Sequence, residues 1–315
     1  MARKTAFTLP SSDGVHHLHA ICWQPEDGTP RAVVQLVHGI SEHIGRYDAF
    51  ASYLAGCGFA VVGHDHLGHG HTARGRQEYG FFSEREGWTL LVQDVHSLRS
   101  HAGSVFPGLP YFLIGHSMGS FVARTYLISY PGTVDGCILL GTGQPAPALL
   151  SLGQGVSRLL CWVKGPRYVS RLVTALSLGS YNRQFHPNRT SADWISSDPS
   201  AVDAYLADPL CRFVPTVGMF RDMLGGLRTI GNPYFLSQMD PNTPVAFFAG
   251  ADDPVGERGK GVQKTAQLFR NAGCRSVFVK LYPDARHELL NERCREEVYR
   301  DLLAWLELHL QKNRS

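Results

Sequence analysis

The chain has 315 residues, 43% of them hydrophobic and 18% charged, with 33 glycines, 15 histidines and a formal charge of +3. That balance excludes a disordered polyelectrolyte, and its 30 basic and 27 acidic residues, spread evenly, form no patch for nucleic acid. The length suits one large domain or two small ones with an ample core, at roughly 100–200 residues per domain.

Early in the chain, Thr5–Pro10 lacks the apolar stretch of a signal peptide, and no apolar run reaches the roughly 20 residues that span a bilayer. Cys22, Cys57, Cys137, Cys161, Cys211, Cys274 and Cys294 are scattered and form no Cys-x-x-Cys pair. They suit a reducing compartment, where cysteine serves as a small hydrophobe, so the expected location is cytoplasmic.

Val15–Trp23 alternates like an early, half-exposed strand. Ala32–Val37 and Phe59–Gly63 are β-branched runs suited to buried strands, and Tyr47–Cys57 between them has helical spacing and stops at Gly58. Gly87–Gly103 puts Trp88, Leu91, Val92, Val95 and Leu98 on one helical face. A strand at Tyr111–Ile114, a helix at Ser117–Tyr130 and a strand at Cys137–Leu140 follow. From about 145 to 238 the alternation breaks into helical patches punctuated by prolines. It resumes with a strand at Val245–Ala249, a helix at Gly259–Asn271, a strand at Val277–Leu281 and a last helix at Arg293–Leu310. The pattern predicts an α/β fold with a mostly parallel sheet flanked by helices. Residues 1–144 and 239–315 form the core, and 145–238 a helical insertion.

Gly115-His116-Ser117-Met118-Gly119 is a G-x-S-x-G between a strand and a helix. Such a turn exposes the serine hydroxyl at the carboxyl edge of the sheet, and the glycines two residues either side let it close. A nucleophilic serine needs a base and a group to orient that base. His287 is the base candidate, because no other histidine lies between a late strand and the last helix. Asp252 and Asp253 compete for the acid, and the Asp-Pro step at 253–254 favours Asp253. Two backbone N–H groups should hold the oxyanion. One is that of Met118, the other that of Ile40 in the His38-Gly39-Ile40 turn after Ala32–Val37.

These residues lie within longer motifs: HG-x-x-EH-x-x-RY at His38 to Tyr47, DH-x-GHG at Asp65 to Gly70, GHSMGS at Gly115 to Ser120 and RHE-x-x-NE at Arg286 to Glu292. Together they resemble the monoacylglycerol lipase and lysophospholipase branch of the α/β-hydrolases, often grouped with the serine aminopeptidases. The resemblance spans almost the whole chain. It implies Ser117 as nucleophile, Asp253 as acid, His287 as base, and Ile40 and Met118 as oxyanion donors, with His38, Gly39, Gly115 and Gly119 shaping the supporting loops. It also implies a small ester or lipid substrate, no cofactor, and an insertion that caps the site and touches a membrane surface transiently. A small-ester esterase or an aminopeptidase would use the same triad.

Two features stand outside that reading. Gly63 to His71 packs four histidines and an aspartate like a binuclear metallohydrolase, but position 68, where that pattern needs a carboxylate, is glycine. The expected role of this segment is a loop beside the site. His43 and His116 flank the oxyanion turn as packing or supporting residues. Within Ala148–Val163, Leu149, Leu152, Val156, Leu159, Leu160 and Val163 form an apolar stripe, expected to pack on the core, with an acyl tunnel or a lipid surface as the alternatives.

Overall fold

The computed structural model describes residues 2–312. Its centre is one eight-stranded sheet with the order β1-β2-β4-β3-β5-β6-β7-β8. The strands are β1 (Ala2–Pro10), β2 (His17–Pro25), β3 (Ala32–Val37), β4 (Phe59–His64), β5 (Tyr111–His116), β6 (Gly136–Leu140), β7 (Val245–Gly250) and β8 (Val277–Tyr282). From β4 to β8 all neighbours are parallel, while β1 and β2 form an antiparallel edge.

The central strands are buried on both faces, so successive residues feed opposite layers. Val33 and Leu113 enter the layer under α2 (Gly87–Val105), α3 (Met118–Ser129) and the late helix Lys260–Asn271. Val34 and Ile114 enter the other, under α1 (Asp48–Gly56) and the last helix Arg295–Lys312. β1 does not follow from sequence patterning. Its residues Ala2–Pro10 are mostly exposed, only Phe7 and Leu9 alternate onto the core, and the strand is held by its pairing with β2.

Between β6 and β7 stand α4 (Pro147–Lys164), α5 (Arg171–Leu176), α6 (Leu178–Tyr181), α7 (Pro199–Ala207), α8 (Val217–Ile230) and α9 (Pro233–Leu236). α10 is Lys260–Asn271 and α11 is Arg295–Lys312. The apolar stripe of α4 is a correction to the expected packing. Leu149, Leu152, Val156, Leu159 and Val163 are exposed, and Leu160 is only partly covered. The buried face of α4 is Leu150, Gln154 and Ser157, turned toward α8, where Gln154 accepts a hydrogen bond from Arg228 at 2.6 Å. The sequence marks an apolar face but not its direction, and here the polar side has the partner.

Parallel strands bring their carboxyl ends to one edge. The register pairs Val37 with Gly115 and His116 with Leu140, and Gly250 with Tyr282. The loops after β3, β5, β7 and β8 therefore emerge side by side.

Candidate active site

Ser117 sits between β5 and α3 with φ 52° and ψ −123°. A non-glycine residue there costs on the order of 1–3 kcal/mol and persists only when its surroundings force it. They do: Ser117 N–H donates to Leu140 O at 2.9 Å, and its carbonyl accepts from Ser120 N at 2.8 Å. The two motif glycines permit this closure. A Cβ on Gly119 would stand 2.0 Å from Val37 O, and one on Gly115 would stand 2.4 Å from Gly119 O. The helix thus begins at Met118, one residue later than the periodicity predicts, because a positive φ cannot open an α-helix.

Asp253 and His287 follow β7 and β8 and meet in full burial. Both Asp253 oxygens lie 3.0 Å from His287 Nδ1, and Asp253 Oδ1 also accepts from Val255 N at 2.9 Å. Asp252 is half-buried, and its backbone carbonyl accepts from Gln184 Nε2 at 2.8 Å. Geometry therefore pairs His287 with Asp253. A carboxylate on Nδ1 fixes the ring so that Nε2 carries the lone pair, and Nε2 is buried with no hydrogen-bond partner among the described residues. Ser117 Oγ makes no hydrogen bond to it in this conformation. The His287 ring is flanked by His116 and by Trp194 of the insertion, each with its centroid 4.9 Å away.

In the loop after β3, the Gly39 N–H is already donated to Glu42 Oε1 at 2.5 Å. Among the described residues the N–H groups of Ile40 and Met118 have no such acceptor. Met118 is the first residue of its helix, where an N–H has no intrahelical partner and the helix dipole favours negative charge.

A buried charge network braces this loop. Glu42 also accepts from Tyr47 Oη at 2.9 Å, His116 Nδ1 at 3.0 Å and Arg46 at 3.1 Å. Arg46 makes a two-pronged pair with Glu288, both contacts at 2.7 Å. Burial alone would raise the Glu42 carboxyl, but the His116 hydrogen bond and the charges of His116 and Arg46 hold it well below the usual range. Burial alone would lower His116, and Glu42 overrides it and raises that imidazole. The sequence carries the signal for this network only as the spacing of Glu42 and Arg46 in HG-x-x-EH-x-x-RY. Glu288, a letter of RHE-x-x-NE, joins it through tertiary contact, and Trp194 reaches the His287 ring in the same way.

The histidine-rich segment lies behind the loop after β3. The His38 ring centroid is 4.2 Å from His66 and 5.2 Å from His69, and His64 is 5.1 Å from His66. His38 Nδ1–H donates to Gly39 O at 2.8 Å, so Nε2 is free to accept from His66 N at 3.0 Å. His66 Nε2–H donates to His38 O at 3.2 Å, and His69 Nδ1–H to Leu67 O at 2.9 Å. Burial lowers all four imidazoles, His64 and His69 to about 4, so they are neutral spacers between loops. Asp65 ties this segment to the loop after β3, accepting from Ile44 N and His71 N at 2.8 Å and from His19 at 3.1 Å.

Comparison with known proteins agrees with this fold. Residues 28–294 match the model of the family described as serine aminopeptidase, S33. The chain belongs to this S33 family. Among curated members, the monoacylglycerol lipase of Mycolicibacterium smegmatis is 30% identical over 91% of this chain and 92% of its own length. The human monoglyceride lipase is 31% identical over 96% and 93%. In structure, the S33 chain superposes with a TM-score of 0.91 on a thermostable carboxyl esterase from Bacillus coagulans, solved with glycerol, at 29% identity over 98% of this chain and 99% of that one. This S33 member is a carboxylic ester hydrolase with the α/β-hydrolase fold.

Proposed function

We propose that the protein hydrolyses monoacylglycerols or lysophospholipids through Ser117, His287 and Asp253. The observation that carries the triad is the buried His287–Asp253 pair, whose Nε2 is left without a partner at the sheet edge where the strained Ser117 turn emerges. His287 accepts the Ser117 proton as Oγ attacks the acyl carbonyl, and Asp253 stabilises the imidazolium. The Ile40 and Met118 N–H groups take the oxyanion. His287 then protonates the leaving alcohol, and water attacks the acyl-enzyme with the same groups in reverse order. His38, Gly39, Gly115 and Gly119 shape the loops that carry these groups.

The lipid assignment is supported by the names of the relatives and by the insertion, residues 145–238, which we read as a cap. Leu152 is 67% exposed and Trp162 83%, with Leu149, Val156, Leu159, Val163, Leu172 and Leu176 exposed beside them. An apolar face of this kind suits transient contact with a membrane surface. No described helix is long and apolar enough to cross a membrane. The seven free cysteines support a reducing, cytoplasmic setting.

The test is fluorophosphonate labelling in competition with a panel of esters of graded acyl length and of aminoacyl amides. Labelling is expected at Ser117, abolished in Ser117→Ala, and competed best by monoacyl lipids. Undiminished labelling of Ser117→Ala would sink the nucleophile. Best competition by short esters or aminoacyl amides would replace the lipid substrate with an esterase or peptidase one.

A further inference from the structure

Away from the triad, three donors of different kinds converge where the insertion meets the loop after β3. His43, Asp208 and Cys211 bring their ligand atoms within 4.8 Å of one another. His43 belongs to the loop that carries Gly39 and Ile40. Asp208 and Cys211 belong to the turn after α7, folded by Cys211 N–H donating to Asp208 O at 3.2 Å and by Leu210 N–H donating to Asp208 Oδ1 at 2.8 Å. That turn holds a carboxylate and a thiol separated by two intervening residues, the x-x spacing of a metal-binding half-site. His43 closes the group from the other segment, its Nε2 2.8 Å from Asp208 Oδ2.

The two segments are already docked. Arg212 N–H donates to Ser41 O at 3.2 Å and Ser41 Oγ to Phe213 O at 2.8 Å. Cys211 is buried, whereas a quarter of the Asp208 side chain is exposed and leaves a path for entry. Burial raises the Cys211 thiol and the Arg46 guanidinium opposes it, although Glu42 and Glu288 already hold that guanidinium.

We propose that His43, Asp208 and Cys211 bind a divalent transition-metal ion of the zinc class, which fastens the insertion to the loop carrying Ile40. Imidazole, carboxylate and thiolate together select zinc or cobalt over calcium or magnesium, which take oxygen ligands. Bonds of about 2.0–2.3 Å place tetrahedral zinc ligands roughly 3.5 Å apart, so closure on the ion needs side-chain rotation of about an ångström. Three protein ligands leave the fourth position to water. The site is separate from the His287–Asp253 pair and adds no step to ester cleavage.

The experiment titrates the intact protein, kept reduced with a non-chelating phosphine, with Co2+ and then Zn2+. One Co2+ per chain is expected to bind with a thiolate-to-cobalt charge-transfer band in the near ultraviolet, and Zn2+ should displace it. Cys211→Ser should lose the band, Asp208→Asn should weaken Zn2+ binding by about tenfold or more, and Cys161→Ser should match the parent. Unchanged near-ultraviolet circular dichroism establishes that the variants are folded. Should Cys211→Ser fail to fold, alkylation of the unaltered chain mapped by mass spectrometry replaces it, with Zn2+ expected to shield Cys211. Absence of binding, binding without the charge-transfer band, a band that survives in Cys211→Ser, or alkylation of Cys211 unaffected by Zn2+ would each overturn the site.

Discussion

Asp252 and Asp253 differ by one position and face different surroundings. The Asp-Pro step favours the second, but the reason lies in space: Asp253 is fully buried with both oxygens on His287 Nδ1, while Asp252 stays at the surface of the loop. Asp253→Asn should therefore lower kcat on a soluble ester by about 10³–10⁴-fold, since an amide stabilises neither the imidazolium nor the required tautomer. Asp252→Asn should stay within about threefold of the parent. Steady-state kinetics decide this, and a large loss in Asp252→Asn with a small one in Asp253→Asn would reverse the assignment. The places of Ser117, Asp253 and His287 at one sheet edge are legible because each follows a strand in a parallel sheet. Glu42, Arg46 and Glu288 were legible only as letters of motifs. Their meeting depends on the loops after β3 and β8 lying together, which no local pattern encodes.

The elements themselves were read well wherever burial imposes a period. β3 to β8 and α1 to α3 fall within a residue or two of their predicted bounds, because a strand covered on both faces and a helix covered on one must show it in composition. β1 shows it only weakly, at Phe7 and Leu9, because most of its residues face solvent. The Gly63 to His71 segment tests the cost of burying imidazoles. In the fold His64 and His69 titrate near 4, and His38 and His66 are lowered too, against 6.5 for a free side chain. The unfolded chain therefore takes up protons that the folded chain refuses. Stability is fully present above pH 6.5 and is lost as pH falls from 6.5 toward 4, on the order of 3 kcal/mol for each of His64 and His69. Asp94, pushed up to about 6 by burial, opposes this over part of the range together with the raised Asp222 and His116, while His96, lowered by burial, adds to it. Thermal melts from pH 7.5 to 4.5 should show Tm falling steeply below 6.5, and a flat Tm would exclude the histidines as its cause.

For the whole molecule, the decisive feature is which way α4 turns. Leu149, Leu152 and Leu159 point outward while Leu150 packs inward, so the outer apolar stripe adds no stability by packing. Leu152→Asp with Leu159→Asp should change the unfolding free energy by no more than about 0.5 kcal/mol per site, as exposed substitutions do. The same pair should lower binding to monoacyl-lipid vesicles severalfold while leaving kcat on a soluble short-chain ester unchanged. Flotation with vesicles and parallel kinetics would show it, and undiminished vesicle binding would remove α4 from the membrane contact. The sequence by itself determined the parallel sheet, the strained serine turn and the placing of Asp253 and His287 after late strands, because backbone strain and two-sided burial each demand particular residues at fixed spacing. Tertiary structure alone decided which aspartate meets His287, what braces the loop after β3 and which face of α4 meets solvent. Those outcomes depend on which surfaces distant segments present to one another, and periodicity along one segment carries no information about its partner.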